Sequence, residues 1–180
     1  MKEILCFAGS NSSRSINHQW VSFVATQISR HKIHVIKLVD FPLEMFSEDV
    51  EREKGYSDAL RNLHSQIKAS DALISSVNEH NSNPSAFFKN VVDWLSRLDK
   101  NFLEDKKILL TSTSNGRRGG LSSLEVTQNL LPRFKGEVVV SFNFPSFQEN
   151  FSVEKQKITN PELEETILGH ISRFQQLIEE

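Results

Sequence analysis

The residues best suited to hold a ligand are small and polar, and they follow the first apolar run of the chain. Residues 9–17 read Gly-Ser-Asn-Ser-Ser-Arg-Ser-Ile-Asn and come directly after Ile4–Ala8. A loop of this kind that opens onto a helix offers hydroxyls, backbone N–H groups and the positive end of a helix dipole, which together suit a phosphate. Its glycine spacing matches neither the dinucleotide fingerprint nor the P-loop. We interpret it as a phosphate loop for a flavin mononucleotide, and the alternative is an ordinary turn with a helix cap.

Two further loops have the same polar character. Asn78–Ser85 follows the third apolar run, and Thr113–Gly120 follows the fourth. Each loop alone is typical of a surface connection, but all three meet at one edge if the apolar runs are parallel strands. No obvious nucleophile or catalytic dyad accompanies these loops. A metal site is not indicated either, because His31 and His34 have no further ligand at metal spacing. Cys6 lies inside the first apolar run and is predicted to be a core residue.

Alternating apolar patterns predict the elements that position these loops. Runs rich in Val, Ile, Leu and Phe predict buried strands at 3–8, 33–38, 72–77, 107–112 and 137–142. Helical periods separate them, and the last helix is predicted to begin at Pro161 after the N-cap Asn160. Strict alternation predicts an α/β fold of three layers, flavodoxin-like, with a five-stranded parallel sheet of order 2-1-3-4-5. Ligands then bind at the carboxyl ends of the strands, near the switch point between strands 1 and 3.

Length and composition are typical of a globular domain that spans residues 1–180. Of these, 38% are hydrophobic and 24% charged, and the net charge is -2. This weak charge argues against a chain built to coat nucleic acid or an anionic membrane. One cysteine allows no intramolecular disulfide, and no signal peptide or membrane span is recognised, so a cytoplasmic protein is expected.

Two segments fit the alternating pattern less well. Phe41–Gly55 is polar and acidic, and we predict a mobile surface loop, with a lid or a subunit contact as its role. Residues 142–151 carry four Phe in a non-periodic polar stretch. These rings either form an exposed patch at a subunit contact or pack beneath the last helix.

Taken together, the three loops resemble the NAD(P)H-dependent FMN reductases, a family of flavodoxin-like quinone, azo and chromate reductases. The family motif Gly-Ser-x-Arg-x-x-Ser-x-Asn is matched at Gly9, Ser10, Ser15 and Asn17. Ser12 stands at the arginine position, with Arg14 two places on. The second motif, Pro-Glu-Tyr-Asn followed by Leu-Lys-Asn-x-x-Asp-Trp, is matched at Glu79, Asn81, Lys89, Asn90, Asp93 and Trp94. Asn78, His80 and Phe88 depart from it, and residues 114–120 fit the family's Gly-rich third loop loosely.

The resemblance implies an oxidoreductase that takes a hydride from NADPH or NADH onto FMN and then reduces a small-molecule acceptor such as a quinone, azo compound or flavin. It implies that the FMN phosphate is held by hydroxyls and backbone N–H groups of Ser10, Ser12, Ser15, Ile16 and Asn17. It also implies that the flavin contacts Glu79, His80, Asn81 and Ser82 on one side and Thr113, Ser114, Asn115 and Gly116 on another. The flavin carries the chemistry, so no catalytic side chain is assigned.

Several roles stay open at this point. Arg117 and Arg118 either bind the extra phosphate of NADPH or are two solvated arginines. Glu79 either lines the flavin or caps backbone donors, and His80 either packs against the ring or relays a proton. Arg14 either adds a charge to the phosphate loop or faces water.

The resemblance further implies a homodimer or homotetramer, with no nucleic-acid or membrane partner. A flavodoxin-like one-electron carrier without nicotinamide activity is the alternative function, although such carriers are usually strongly acidic. A signalling receiver on the same fold is disfavoured, because the first strand ends in Ala8-Gly9-Ser10 rather than in acidic residues.

Overall fold

The predicted strands form one parallel sheet in a computed structural model, which describes all 180 residues. The strands are β1 (Glu3–Ala8), β2 (Lys32–Val35), β3 (Ala72–Val77), β4 (Glu79–His80), β5 (Asn83–Pro84), β6 (Lys107–Thr113), β7 (Glu137–Phe144), β8 (Phe151–Ser152) and β9 (Lys157–Ile158). The main sheet has the order β2-β1-β3-β6-β7, and all its neighbours are parallel. The predicted order 2-1-3-4-5 is therefore confirmed. The short strands pair separately as the hairpins β4-β5 and β8-β9.

Helices cover both faces of this sheet. They are α1 (Ile16–Thr26), α2 (Glu48–Lys54), α3 (Asp58–Ala69), α4 (Ala86–Leu98), α5 (Leu121–Leu130), α6 (Phe147–Asn150) and α7 (Pro161–Glu179). Buried side chains of α1 and α7 pack on one face, and those of α3, α4 and α5 pack on the other. The predicted start of the last helix is confirmed, because Asn160 caps it by accepting the Leu163 N–H. None of the helices has the length and apolar character that a membrane span requires.

The phenylalanines of residues 142–151 are buried rather than exposed. Phe142, Phe144, Phe147 and Phe151 are at most 6% exposed and pack with α1 and α7. Phe144 stacks on Trp20 with ring centroids 4.1 Å apart. The prediction of an exposed patch is wrong, and packing beneath the last helix is confirmed. The pattern is non-periodic because β7 runs on to Phe144 and the short α6 then turns the later rings back toward the same face.

The segment Phe41–Gly55 is not a loop throughout. Its second half is α2, whose first turn is acidic and whose last turn is basic, an arrangement that suits the helix dipole. Its first half is bound to α4, because the Glu44 carbonyl accepts hydrogen bonds from the Trp94 indole at 2.8 Å and the Asn90 amide at 2.9 Å. The prediction of a mobile loop is therefore wrong for these residues. The sequence pattern missed the helix because α2 has no buried residue and thus no apolar stripe.

Cys6 lies in the middle of β1 and is fully buried, as predicted. Burial raises the pKa of its thiol to about 12, because the thiolate would have to form away from water. The thiol is thus a core group and takes no part in the site described below.

Candidate functional site

The β1–α1 loop is attached to the neighbouring strand and helix through Gly9. The Gly9 N–H donates to the Ser76 carbonyl at 2.9 Å, and the Ser85 hydroxyl donates to the Gly9 carbonyl at 2.8 Å. A Cβ at Gly9 would lie 2.9 Å from the ring of Phe88. Glycine therefore allows the chain to turn close to α4 as it leaves β1.

Asn17 joins the first loop to two strands of the sheet. Its side chain is 4% exposed and lies in the first turn of α1. Its amide nitrogen donates to the Thr113 carbonyl at 3.0 Å, and its oxygen accepts from the Thr113 N–H at 3.1 Å and the Ser76 hydroxyl at 2.8 Å. The side chain is thus engaged within the protein, and the backbone N–H of Asn17 is the donor left for a ligand.

Unused hydrogen-bond donors are concentrated in the β1–α1 loop. The backbone N–H groups that donate to no protein atom are those of Ser10, Asn11, Ser13, Ile16 and Asn17. The hydroxyls of Ser10, Ser12 and Ser15 each accept one backbone N–H, and none of them donates to a protein atom. Their O–H protons are therefore available beside the positive end of α1. This set of donors fits a phosphate, so the residues suit the flavin mononucleotide that the sequence indicates.

The loop after β3 is a tight hairpin that is fixed to α5. Asn81 and Ser82 form its tip, with φ values of +52° and +63°, as a two-residue hairpin turn requires. The Glu79 carboxylate accepts the Ser123 N–H at 3.1 Å, and the Ser123 hydroxyl donates to the Asn78 carbonyl at 2.9 Å. Of the two roles left open for Glu79, these contacts favour capping. His80 is exposed, and its Nε2 lies 3.3 Å from the side-chain nitrogen of Asn78.

The loop after β6 lies against the end of β7. The Thr113 hydroxyl donates to the Phe144 carbonyl at 2.8 Å and is buried, whereas Asn115 and Gly116 are exposed. Gly119 has a φ of +54°, and a Cβ there would lie 2.6 Å from the Phe144 carbonyl oxygen. Gly116 is not crowded in this way, since the nearest atom to a Cβ built there is the Ser114 hydroxyl oxygen, 3.6 Å away.

The arginines near the site are free in this structure. Arg14, Arg117 and Arg118 are exposed, and none of them forms an ion pair. The arginines that do so are Arg52 and Arg97, which lie outside the three loops. The guanidinium groups of Arg14, Arg117 and Arg118 can therefore bind an anion without first breaking an ion pair.

The architecture and the unused donors can be compared with known proteins. The model of a family described as NADPH-dependent FMN reductase matches residues 2–149. The chain belongs to this family. The expected family is thereby confirmed, and with it an oxidoreductase that depends on FMN and on a nicotinamide nucleotide.

Individual proteins similar to this chain can also be named. A protein of Mycoplasma pneumoniae, described as an uncharacterized MG342 homolog, is 28% identical over 83% of this chain and 93% of its own length. A quinone reductase of Escherichia coli is 34% identical over 46% of this chain, but the match spans only 43% of that enzyme. The flavoenzyme NAD(P)H:(acceptor) oxidoreductase FerB of Paracoccus denitrificans superposes with a TM-score of 0.82 at 22% identity, covering 99% of this chain and 98% of FerB. This last likeness shows a shared fold.

Some residues that build the site were not predicted from the sequence. Ser76, Ser85 and Ser123 fix the three loops to one another through hydrogen bonds between distant parts of the chain. Ser85 carries a readable signal, because it directly precedes a helix and caps it. The carboxyl end of β2 was also overlooked, although β2 lies beside β1 at the same edge.

Proposed function

We propose that this chain binds FMN at the carboxyl edge of its sheet and catalyses electron transfer from NADPH or NADH to a small acceptor such as a quinone, an azo compound or a free flavin. The concentration of unused donors in the β1–α1 loop carries this proposal. When bound, the flavin supplies the hydride chemistry, so the protein needs no nucleophile or metal. Residues 1–180 act in this proposal as one FMN-binding domain.

The side chains bind and orient the cofactor. Ser10, Ser12 and Ser15 direct their free O–H protons to the phosphate, together with the N–H groups of Ile16 and Asn17. Beyond the phosphate, the flavin extends between the two other loops, which we propose contact it at Glu79, His80, Asn81, Ser82, Thr113, Ser114, Asn115 and Gly116. Since the Glu79 carboxylate is held by α5, it keeps the hairpin in place while backbone groups face the ring.

The nicotinamide nucleotide and the assembly belong to the same proposal. Arg117 and Arg118 are exposed and form no ion pair, which suits them to the extra phosphate of NADPH. We propose a homodimer or homotetramer in the cytoplasm, consistent with a chain whose only cysteine is a buried free thiol.

The first test is an absorption spectrum of the purified protein with FMN, followed by NADPH or NADH without oxygen. We expect bound flavin that loses its visible absorption rapidly, and the rates with the two nucleotides give the preference. Bound flavin that stays oxidised would instead support the one-electron carrier. Absence of any flavin binding would contradict both functions.

The phosphate loop makes a separate prediction. Replacing Ser10 and Ser12 together with Ala should weaken FMN binding by about 1.5–3 kcal/mol for each lost charge-assisted hydrogen bond. Riboflavin has no phosphate, so its affinity should stay the same, as measured by flavin fluorescence titration. Ser15 is left intact because its hydroxyl also caps α1. Ser47→Ala is the matched control, since that serine caps α2 outside the site, and equal FMN affinity in the double variant would refute the assignment.

A further inference from the structure

A polar cleft of about 270 Å³ lies beside the phosphate loop, on the side away from β3. One wall is the loop itself, including Ser10 and Ser12. The opposite wall is the segment after β2, which contributes Lys37 and Asp40, and His18 of α1 contributes from the base of the loop. Three separate elements thus surround a cleft that is lined by four serines of the loop, namely Ser10, Ser12, Ser13 and Ser15.

The loop supplies no cation to this cleft. Arg14 is its one basic residue, and Arg14 does not line the cleft. The loop residues that line it, Ser10, Ser12, Ser13 and Ser15, carry neutral side chains. A phosphate dianion bound by neutral donors alone keeps its full charge, whereas a neighbouring cation neutralises part of that charge by direct Coulomb attraction.

Lys37 is held beside the loop by the sheet. The register pairs Cys6 with Val35, and the Ile36 N–H donates to the Cys6 carbonyl at 2.9 Å. Continued by two residues, this register sets Lys37 opposite Ala8, the residue before Gly9. Leu38 is 1% exposed and anchors the backbone that follows. The ammonium group of Lys37 is in no ion pair and remains free to bind an anion.

We propose that Lys37, assisted by His18, forms the cationic wall of the FMN phosphate site. The inference rests on the proposed function and adds a binding residue from outside the phosphate loop. Lys37 supplies a fixed positive charge at the mouth of the cleft. His18 supplies a second positive charge by binding a proton when the phosphate arrives, because the dianion favours the protonated ring.

The charges around His18 support this division of roles. Burial and the neighbouring charge of Lys37 lower the pKa of His18, and the Asp40 carboxylate partly opposes them. His18 is therefore neutral near neutral pH in the free protein. A bound phosphate adds negative charge beside the ring and raises that pKa, so FMN binding takes up a proton. The contribution of His18 to FMN affinity should consequently increase as the pH falls from 8 toward 6, where histidine side chains ordinarily bind a proton.

The experiment compares FMN and riboflavin binding to the full chain by fluorescence titration at low salt. We expect Lys37→Met to weaken FMN binding by about 10- to 100-fold and to leave riboflavin binding unchanged. Asp40→Asn should tighten FMN binding, because it removes a negative charge from the cleft. Lys32→Met is the matched control, since Lys32 begins β2, at the end away from the cleft, and pairs there with Glu3. Circular dichroism verifies that each variant is folded.

His18→Gln tests the proton uptake. The wild-type chain and this variant should differ in the slope of FMN affinity against pH. The FMN phosphate itself titrates with a second pKa of about 6, but it does so with both proteins, so the difference between the two slopes reports His18. Equal slopes would overturn the role of His18.

The remaining outcomes separate this inference from the proposed function. Unchanged FMN affinity in Lys37→Met, an equal loss of riboflavin, or a larger loss in Arg14→Gln would overturn the assignment of Lys37. If the wild-type chain binds FMN but the bound flavin keeps its visible absorption on addition of NADPH or NADH, that result would count against the proposed function, independently of Lys37.

Discussion

Replacing Asn17 with Ala is expected to lower the free energy of unfolding by about 3–5 kcal/mol. The substitution leaves the N–H and carbonyl of Thr113 and the hydroxyl of Ser76 without their partner in a buried region. Each buried polar group that loses its partner costs about 1–3 kcal/mol, and the higher helix propensity of Ala returns only a small part. Because the same side chain joins α1 to β3 and β6, we also expect FMN affinity to fall.

Urea unfolding followed by circular dichroism measures this loss. Asn11→Ala is the matched control, because Asn11 is exposed in the same loop and its side chain forms no hydrogen bond within the protein. We expect that control to change the unfolding free energy by less than about 0.5 kcal/mol. A loss below about 1 kcal/mol in Asn17→Ala would show that water replaces the amide, and the network would then not be what holds the loops together.

Replacing Gly119 with Ala is expected to displace the loop after β6, at a cost of about 2–4 kcal/mol. The new Cβ would meet the Phe144 carbonyl oxygen at 2.6 Å, and backbone atoms there have little freedom to move. The φ of +54° adds a penalty for any L side chain, about 1 kcal/mol or more. Since this loop is proposed to line the flavin, the affinity for both FMN and riboflavin should decrease, unlike the result for the serine variants.

Gly116→Ala provides the comparison within the same loop. A Cβ at Gly116 meets only the Ser114 hydroxyl at 3.6 Å, an ordinary contact. Thermal unfolding and flavin titration of both variants should therefore show a large change for Gly119 and a small one for Gly116. Equal effects would mean that steric crowding near Phe144 does not control the loop.

The fold was predictable because the periods of apolar residues report which face of an element is buried. Alternating strand and helix patterns were enough for the sheet order, with every main strand found within three residues of its predicted ends. The same reasoning failed at Phe41–Gly55, since α2 is exposed and leaves no apolar stripe. It also left residues 142–151 undecided, because a burial pattern that continues from β7 into a turn and α6 has no single period.

The candidate site was predictable as a set of loops but not as a set of contacts. The fold rule brings the three polar loops to one edge, and the structure joins them there through Asn17, Glu79 and Ser85. Which side chains already form hydrogen bonds within the protein depends on pairings between residues far apart in the chain. Sequence spacing carries no signal for such pairings, so the backbone donor that the Glu79 carboxylate caps and the position of Lys37 beside the loop are found only in the structure.

The buried thiol of Cys6 makes this chain a convenient reporter of its own unfolding. A thiol reagent reacts with the thiolate, and in the native protein that form is suppressed by a pKa of about 12 in a strand with neighbours on both sides. Labelling therefore requires β1 to leave the sheet, an opening of the whole structure rather than of its loops. The rate of labelling by one reagent at one atom would thus give the stability of every variant described above, with no engineered probe and in the presence of coloured flavin.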